Sequence, residues 1–587
     1  MRRIRLQVAI TLLAVAVLFG VVAYLALNVA TQTAPDYGGT YVEGVAGNPE
    51  YINPLLCQPN PLDQDLVALI FSGLARANGR GEIVPDLAES WDISADGIVY
   101  TFYLREDVVW HDGAPFTADD VVYTISTIQQ PEFPGEADIA NLWRTVVIER
   151  VDTYTVRFYL REPYAPFLDY TTLGILPAHL LSGVPAEMLR ESKFNVEPVG
   201  TGPYRLESIA ARRVLLVSNP EYYGGRPYID RLEFILYQDD AAVFEGRRRG
   251  EVAGIARVLP AYLDSVRQDR DLNLYSAPLS GYNAVYLNLD KGVFQDPAVR
   301  QAMMYALDRQ RLVDEVLEGQ GIVLHSPILP HSWAHNPSVR RYDYAPRLAI
   351  STLEEHDWFD DDGDGVRERG GVRLEFTLVT NDDPVRMQLI EAISEQLAKV
   401  GIRAVPQAVP WETLRYDMLN LRRFDAVLLG FQFLPPDPDP YPYWHSSQAN
   451  EFGVNLANYN DPRVDMLLEE ARLTSDKGLR YELYQEFQQL FSEQVPSLLL
   501  YQPVYAYAVS DTVQDVQIGP MTNSSGRFQS ITDWYIATQR LVDGASAEPT
   551  TAADDGPGGD VAPTEEAAPT GDAAPAEEDA LQEEVVP

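Results

Sequence analysis

The residues whose spacing best suits a chemical task lie in the loop 360–371, which has the sequence DDDGDGVRERGG. Five of them stand where an EF-hand-like loop supplies ligands to calcium: Asp360, Asp362, Asp364, Val366 and Glu368. Oxygen ligands at every second position, with a glycine at the sharp turn, are what a hard cation requires. Position twelve is Gly371, where a bidentate Glu would complete the site. The loop is therefore either a calcium site or a plain polar turn between a helix and a strand.

The rest of the chain carries no arrangement typical of a catalyst. It contains neither G-x-S-x-G nor H-E-x-x-H, and its seven His residues are scattered without the spacing of metal ligands. The glycine-rich turn YYGGRP does not follow the strand, turn and helix order of a phosphate-binding loop. Cys57 is the only cysteine and has no His near it in the sequence, so we interpret it as a small apolar side chain. We predict that the protein is not an enzyme and requires no cofactor, with calcium as the one option.

The chain is too long for one hydrophobic core and too acidic for two classes of partner. Its 587 residues predict two or three lobes, since a single core rarely organises so many. The formal net charge of −41 disfavours nucleic acid, whose phosphates require a basic surface, and also disfavours adsorption to anionic lipid. We therefore expect no nucleic-acid partner.

The N-terminal segment has the pattern of an export signal. Arg2, Arg3 and Arg5 precede a nearly continuous apolar run, and no further charged residue occurs before Asp36. Basic residues ahead of an apolar run orient such a segment with its N-terminus inside. The run approaches bilayer length, and no small-x-small cleavage site follows it cleanly. We expect a signal-anchor or transmembrane helix within 1–35, with cleavage as the alternative.

The C-terminal segment 543–587 differs from the globular middle of the chain. It contains thirteen acidic residues and no basic ones, set among Ala, Pro, Gly and Thr. Such a segment buries too little apolar surface to offset the entropy of ordering it, so we predict a disordered acidic tail. It serves either as a solubilising tail or as a spacer that reaches toward a cell wall or S-layer.

The elements that must position any site form a strand-rich part and then an α/β part. Dipeptides ending in Gly at 78–79, 96–97 and 112–113 separate short runs of alternating apolar residues, which is typical of hairpins. Thr117, followed by two carboxylates in the first turn, predicts the start of a helix. Beyond residue 282, helices and strands alternate in the manner of a sheet flanked by helices.

One helix of this second part is strongly patterned. Pro297 predicts its first turn. Its apolar residues recur at three- and four-residue spacing: Val299, Met303, Ala306 and Leu307.

Several blocks of sequence, in order along the chain, resemble one known family. They are NPLLCQPN at 53–60, the long run LIFSGLARANGRGEIVPDLAESW and its continuation to 124, GTGPYRLES at 200–208, YLNLDKGVFQDPAVRQAMMYALD from 286, and DPRVDMLLEEARL from 461. Together they resemble the bacterial extracellular solute-binding proteins of family 5, which include oligopeptide-, dipeptide- and nickel-binding proteins of ABC transporters. The resemblance covers roughly 37–539.

This resemblance implies an α/β, periplasmic-binding-protein type II-like fold. It has two lobes and carries an extra subdomain, the mark of cluster C. The stretch 282–287 and the later segment LLLYQPVYAYAVS are expected to cross between the lobes, which makes a hinge and allows closure around a ligand. The expected boundaries are lobe I in 36–72, 177–282 and 501–542, the extra subdomain in 73–176, lobe II in 283–500, and the two end segments 1–35 and 543–587.

The resemblance also implies a function. We expect an extracytoplasmic substrate-binding protein of an ABC importer, which captures a peptide or a solute of similar size between its lobes. It would then deliver that ligand to a membrane permease driven by cytoplasmic ATPases, acting as a monomer held to the membrane by its N-terminal helix. The alternatives are a ligand-sensing or scaffold ectodomain with the same fold, or a binder of a nickel chelate or an oligosaccharide.

Peptide-binding members of the family hold the ligand amine with an Asp and its carboxylate with an Arg. The matching positions here carry Leu434 and Leu428, although Asp437 or Asp439 could take the place of the Asp after a small shift. The candidate ligand-binding residues implied are Gln58, Asn60, Tyr282, Asn283, Trp411, Phe431, Gln432, Asp437, Asp439, Tyr441 and Trp444. Ordinary core packing is the alternative for the aromatic ones. His445 is the only His in the segment 424–447, and it gives weak support to the binding of a metal chelate.

Overall fold

The computed structural model describes residues 11–22, 24, 31–451 and 453–542. They form two compact units, a body of 33–539 and a small unit of the remaining described residues. Residues 11–22 and 24 of the small unit are helical and are called α1. Within the described part of the chain, no helix combines the length and the apolar character needed to cross a membrane. Residues 1–10, 23 and 25–30 of the predicted anchor and the whole predicted tail, 543–587, lie outside the described residues.

The strands are β1 (Thr31–Pro35), β2 (Thr40–Ala46), β3 (Ala75–Ala77), β4 (Ile83–Pro85), β5 (Ala88–Ile93), β6 (Val99–Leu104), β7 (Val147–Arg150), β8 (Thr155–Tyr159), β9 (Tyr204–Ala210), β10 (Arg213–Ser218), β11 (Arg231–Tyr237), β12 (Gly254–Ile255), β13 (Leu272–Pro278), β14 (Gly281–Leu287), β15 (Gly321–Val323), β16 (Glu368–Arg369), β17 (Val372–Arg373), β18 (Glu375–Asn381), β19 (Arg403–Val409), β20 (Ala426–Gln432), β21 (Ser497–Ser510) and β22 (Thr538–Val542).

The helices that follow α1 are α2 (Pro61–Ile70), α3 (Ala118–Gln129), α4 (Ala137–Trp143), α5 (Phe167–Tyr170), α6 (Ala178–Leu181), α7 (Asp240–Arg248), α8 (Leu263–Gln268), α9 (Pro297–Ala306), α10 (Arg309–Val316), α11 (Pro346–Glu355), α12 (Pro384–Ala398), α13 (Tyr441–Trp444), α14 (Pro462–Leu473) and α15 (Lys477–Gln494). Short 3₁₀ or π turns cover Ala186–Glu191, Lys193–Asn195, Pro260–Tyr262, Gly292–Phe294, Thr413–Leu419, Ser446–Gln448 and Ser524–Phe528.

The expected two-lobe α/β fold is confirmed by the path of the largest sheet. Lobe I is built on β2 and β9–β13, and lobe II is built on β14, β15 and β18–β20. The long strand β21 belongs to both, because its first half pairs with β14 and its second half pairs with β13. The chain thus passes between the lobes at 278–281 and again at 503–504. Two adjacent crossings of this kind form a hinge.

Lobe II has a hydrophobic core on each face of its sheet. Val285 and Leu287 of β14 face one core, while Ala284 and Tyr286 face the other. Side chains of a strand alternate between faces, so a strand covered on both sides is buried throughout, as β14 is. The predicted helix over Pro297–Ala306 is confirmed and packs against the first core.

The segment expected to form the extra subdomain contains a four-stranded antiparallel sheet in the order β5-β6-β8-β7. Helix α3 begins as predicted, because the Thr117 side chain accepts a hydrogen bond from the Asp119 N–H and Asp120 accepts one from the Thr117 N–H. Aromatic rings fill the space beneath the sheet, where the ring centroids of Phe158 and Phe167 lie 5.7 Å apart. This packing fixes the position of α5, on which Phe167 lies.

A fully buried ionic cluster joins three elements of lobe I. Arg527 donates through Nη2 to Glu43 on β2 and to Asp65 on α2, with both distances 2.6 Å. The hydroxyl of Tyr507 on β21 donates to the other oxygen of Glu43 at 2.6 Å. Since Arg527 is 0% exposed, its two anionic partners provide the solvation that water would give it.

Candidate functional site

A large cavity of about 580 Å³ lies between the subdomain and lobe II. One wall consists of the β3–β4 hairpin and residues 165–169 of the subdomain. The other consists of residues 331–333 and of 436–480 in lobe II, and Ser280 at the first crossing closes one side. A cavity of this volume is within the range that accommodates small ligands in proteins. We call it the cleft.

Contacts between the two walls hold this cleft in a closed form. The Ala165 N–H donates to the Arg472 carbonyl at 3.0 Å. The Tyr164 hydroxyl donates to Asp439 Oδ2 at 3.3 Å, and the Asp437 N–H donates to Asp169 Oδ2 at 3.0 Å. Each of these bonds joins the subdomain to lobe II, so opening of the lobes would break all three. The two walls are therefore bonded to each other directly, which is a closed arrangement of the cleft.

Asp437, a predicted ligand-binding residue, lines the cleft but is already neutralised. Arg480 on α15 grips its carboxylate with two parallel hydrogen bonds of 2.8 Å, and the Trp333 indole N–H donates to it at 3.3 Å. Burial raises the pKa of the Asp437 carboxyl, and Arg480 opposes that shift. A bidentate pair of this kind is among the strongest side-chain hydrogen bonds. The Asp437 carboxylate is therefore held by Arg480 as part of the cleft wall.

Asp439, two residues further along the loop, is also paired with an arginine. Arg472 donates to Asp439 Oδ2 through Nη2 at 2.8 Å and through Nε at 3.1 Å. The Arg472 guanidinium also stacks on the Tyr441 ring, 4.2 Å from its centroid. From the family resemblance, either Asp437 or Asp439 could receive a ligand amine. In this structure each of the two carboxylates already has an arginine partner. Leu428, at the position expected for an Arg, is buried in the core of lobe II.

A small cavity of about 40 Å³ adjoins the cleft and brings together three of the predicted residues. Tyr282, Asp439 and Trp444 all line it, together with Leu434. The Tyr282 hydroxyl is buried and has no hydrogen-bond partner among the described residues. Trp444 is nevertheless mainly a core residue, because it is 1% exposed and stacks on Tyr286 with ring centroids 6.0 Å apart.

Other predicted residues have structural contacts away from the cleft. Asn60 caps α2 by accepting a hydrogen bond from the Leu62 N–H at 3.0 Å, and Gln58 accepts one from the Gln64 side chain at 2.8 Å. Asn283 lies opposite Gly430 in the β14–β20 pair. All of these contacts lie within lobe I or within lobe II, so they stabilise individual elements.

The end of β20 and the residues around Trp411 complete the predicted set. Phe431 packs edge-on against Tyr286, with the two ring centroids 5.3 Å apart. Gln432, the next residue, is exposed and is the last residue of β20. Trp411 is 42% exposed and lines neither cavity in this structure. His445 is buried against Tyr441 and lies 3.1 Å from Glu469, also outside both cavities.

Sequence reasoning missed Asp169, which lies on the subdomain wall of the cleft. Its Oδ2 accepts the Asp437 N–H, while Oδ1 is buried without a hydrogen-bond partner in the described part of the chain. Burial, and then the negative charge of Asp437, raise the pKa of Asp169 well above its usual value. The one signal in the sequence was a single carboxylate within the otherwise apolar run APFLDY.

The acidic loop lies apart from the cleft, since none of its residues lines either cavity. Asp360, Asp362 and Glu368 place one carboxylate oxygen each within 4.8 Å of one another. Glu368 Oε2 is buried without a partner among the described residues, which suits a cation ligand. Asp364 instead accepts a hydrogen bond from Arg373 at 2.5 Å, and Arg373 also lies 3.8 Å from Asp362.

The chain is similar in sequence to one known protein family and to individual members of it. A family model described as bacterial extracellular solute-binding proteins, family 5 Middle, matches residues 82–453. The chain is 30% identical over 514 residues to the oligopeptide-binding protein AppA of Bacillus subtilis, covering 86% of this chain and 92% of that protein. It is 28% identical over 524 residues to the dipeptide-binding protein of Escherichia coli, covering 85% and 95%.

Two solved structures are similar throughout the body. The structure of AppA from Bacillus subtilis in complex with a nonapeptide superposes with a TM-score of 0.68 at 29% identity and covers 86% of this chain and 100% of that one. The structure of NikZ from Campylobacter jejuni in complex with Ni(L-His) gives a TM-score of 0.69 at 29% identity, with coverage of 84% and 99%. Relatives of similar fold thus bind ligands as different as a peptide and a metal chelate.

Proposed function

Because the chain belongs to the bacterial extracellular solute-binding proteins of family 5, we propose that it captures a peptide, or a solute of similar size, for an ABC importer. Members of this family are extracytoplasmic binding proteins, and the two relatives compared by sequence are an oligopeptide- and a dipeptide-binding protein. The partner on the membrane would be a permease with cytoplasmic ATPases. We propose no catalytic role for the chain, since its family consists of solute-binding proteins.

The closed cleft is the observation that carries this proposal. Its two walls come from parts of the chain that are joined through the crossings at 278–281 and 503–504 and through the contacts between the subdomain and lobe II. About 580 Å³ of space remains between them, enough for several residues of a peptide. The cleft carries aromatic surface from Tyr100 and Trp333 and charged groups from both walls. Such a mixture suits a ligand with a polar backbone and varied side chains.

Native mass spectrometry of the purified protein tests the proposal. We expect the spectrum to show a bound species that leaves on mild unfolding and that fragments as a peptide. A released species that fragments as an oligosaccharide or a metal chelate would instead support one of the alternative ligand classes.

We also propose that the chain is held at the membrane by a helix within 1–35. The basic residues before the apolar run support the orientation, and the missing cleavage pattern supports retention. We expect fractionated cells to contain the protein in the membrane pellet, with an N-terminal sequence that begins at Met1 or Arg2. The variant Leu18→Arg, which interrupts the apolar run, should shift it out of that fraction. A soluble chain beginning near Thr31 or Tyr37 would contradict the anchor.

Calcium binding to the loop 360–368 is a further proposal, which the clustered oxygens of Asp360, Asp362 and Glu368 support. The ion would bind the folded state, so calcium should raise the melting temperature and a chelator should lower it. Because the loop lies outside the cleft, ligand affinity should stay the same. The variant Asp362→Asn should remove the effect of calcium, while Asp382→Asn, in an exposed turn after β18, should keep it. No response to calcium would identify the loop as a plain polar turn.

A further inference from the structure

Asp169 presents its carboxyl group to lobe II where the two walls of the cleft touch. Oδ2 accepts the Asp437 N–H at 3.0 Å, and Oδ1 is buried without a hydrogen-bond partner among the described residues. The residue lies on α5, which the fully buried ring of Phe167 attaches to the subdomain core. Its N–H donates to the Pro166 carbonyl at 3.1 Å, and its carbonyl accepts a hydrogen bond from the Thr172 hydroxyl at 2.7 Å. The carboxyl group is therefore fixed against lobe II.

The contact between the walls contains one carboxyl group more than it has arginines. Arg480 pairs with Asp437 through two hydrogen bonds of 2.8 Å, and Arg472 pairs with Asp439 at 2.8 Å and 3.1 Å. In the described part of the chain, Asp169 has no arginine or lysine partner of its own. A buried carboxylate without a cation is costly, and the nearby charges of Asp437 and Asp439 add repulsion. Protonation of Asp169 removes both costs.

The other titratable groups near Asp169 do not replace the missing cation. Tyr164 and Tyr170 lie in the same segment, and burial raises the pKa of both hydroxyls, so they stay neutral. His331 lines the cleft from lobe II, and burial lowers its pKa, so closure favours the neutral imidazole. The further charged residues that line the cleft are Arg80, Glu82 and Lys477. Acidification thus acts in opposite directions on Asp169 and His331, and variants at Asp169 are needed to separate the two.

We propose that protonation of the Asp169 carboxyl group favours the closed arrangement of the cleft, so that acidification promotes closure and tightens ligand binding. The statement about ligand affinity rests on the proposed function, whereas closure itself can be measured without a ligand. The added proton comes from solvent and lies on Oδ1, while Oδ2 keeps the hydrogen bond from the Asp437 N–H. Asp169 is thus a positioning residue that acts through contact between the walls.

The direction of the effect follows from the two environments of the carboxyl group. Opening separates the walls and returns Asp169 to water, where an aspartate has a pKa of about 3.9. In the closed arrangement, burial and then the charge of Asp437 raise the pKa of Asp169 well above its usual value. Closure is therefore most favourable below the ordinary pKa, weakens as the pH rises through the raised pKa, and levels off above it.

The first measurement reports closure without a ligand. Glu132→Cys in the subdomain and Glu482→Cys on α15 are exposed sites for two spin labels, and the native Cys57 is buried. In electron–electron double resonance of the full-length protein, the population at the distance of this structure should increase when the pH is lowered from 7.0 to 5.0. Asp169→Asn, which cannot ionise, should lose this increase. Asp107→Asn, at an exposed site of the same subdomain, should keep it.

The second measurement is calorimetric titration of the full-length protein with a panel of di- to nonapeptides that lack Asp, Glu and His. Their terminal groups keep nearly the same charge between pH 5.0 and 7.0, so a change in affinity reports on the protein. Wild type should bind about tenfold more tightly at pH 5.0 than at pH 7.0, within the limit of about tenfold per pH unit that one proton allows. Asp169→Asn should lose this difference, and titrations in buffers of different ionisation enthalpy should show that it takes up fewer protons than wild type.

Each outcome separates this inference from the proposed function. If wild type and Asp169→Asn respond to pH in the same way in both measurements, the inference is overturned while peptide binding stands. If no peptide binds but the spin labels show a pH response that Asp169→Asn loses, the proposed function fails and the role of Asp169 in closure stands. Should Asp169→Asn not fold, Asp169→Ser, which also lacks the carboxyl group, takes its place in the same comparison.

Discussion

Replacing Arg527 by Met is expected to destabilise the protein by about 3–5 kcal/mol, the range typical when one member of a buried ionic group is removed. The reason is that Glu43 and Asp65 would remain buried without the cation that both of them contact at 2.6 Å. Urea denaturation followed by tryptophan fluorescence measures the change in the free energy of unfolding.

A matched substitution at the surface separates charge burial from the general effect of losing an arginine. Arg248 pairs with Glu245 but is 66% exposed, so Arg248→Met should change stability by less than about 1 kcal/mol. Adding Glu43→Gln and Asp65→Asn to Arg527→Met should recover part of the loss, because the unpaired charges are then gone. A stable Arg527→Met variant would show that the cluster contributes little to lobe I.

Replacing Arg480 by Met is expected to destabilise the protein by about 3 kcal/mol and to weaken ligand binding as well. Arg480 is 6% exposed and holds the Asp437 carboxylate through two hydrogen bonds at the wall of the cleft. Without it, Asp437 would carry a buried charge close to Asp169, and the repulsion would favour the open lobes. Urea denaturation and calorimetric titration with the same peptide panel measure the two effects separately.

Two further variants make this prediction specific. Arg463→Met removes an arginine of α14 that is 64% exposed and should leave both measurements close to wild type. The double variant Asp437→Asn with Arg480→Met should be more stable than Arg480→Met alone, and the difference gives the coupling between the two side chains. Normal ligand affinity in Arg480→Met would mean that the Asp437 pair does not support closure.

Much of the fold could be predicted because its signals are local. The apolar spacing after Pro297, the cap at Thr117 and the apolar segment that became β21 each depend on residues a few positions apart. The double crossing between the lobes could be expected only from the family resemblance, since strand pairing between residues such as Asn283 and Tyr501 leaves no local pattern. The boundaries proposed for the lobes remain predictions.

The candidate site could be predicted only in outline. Asp437 of the segment 424–447 does line the cleft, yet the states of Asp437 and Asp439 depend on Arg480 and Arg472, which lie far along the chain. Sequence spacing gives no sign of such partners. Asp169 was missed for the same reason, because its importance arises from a contact with Asp437 across the cleft. The resemblance implied a pocket position for Trp411, whereas in this closed structure the side chain is exposed.

The measurement that tests the central claim most directly is calorimetric titration of ligand-free protein, prepared by unfolding and refolding, with the panel of di- to nonapeptides. We predict saturable binding of one peptide per chain, with a Kd of about 1 μM or tighter for the best sequence, as expected for a ligand enclosed by two lobes. Absence of saturable heat with every peptide, together with binding of a nickel–histidine chelate or an oligosaccharide by the same sample, would contradict it.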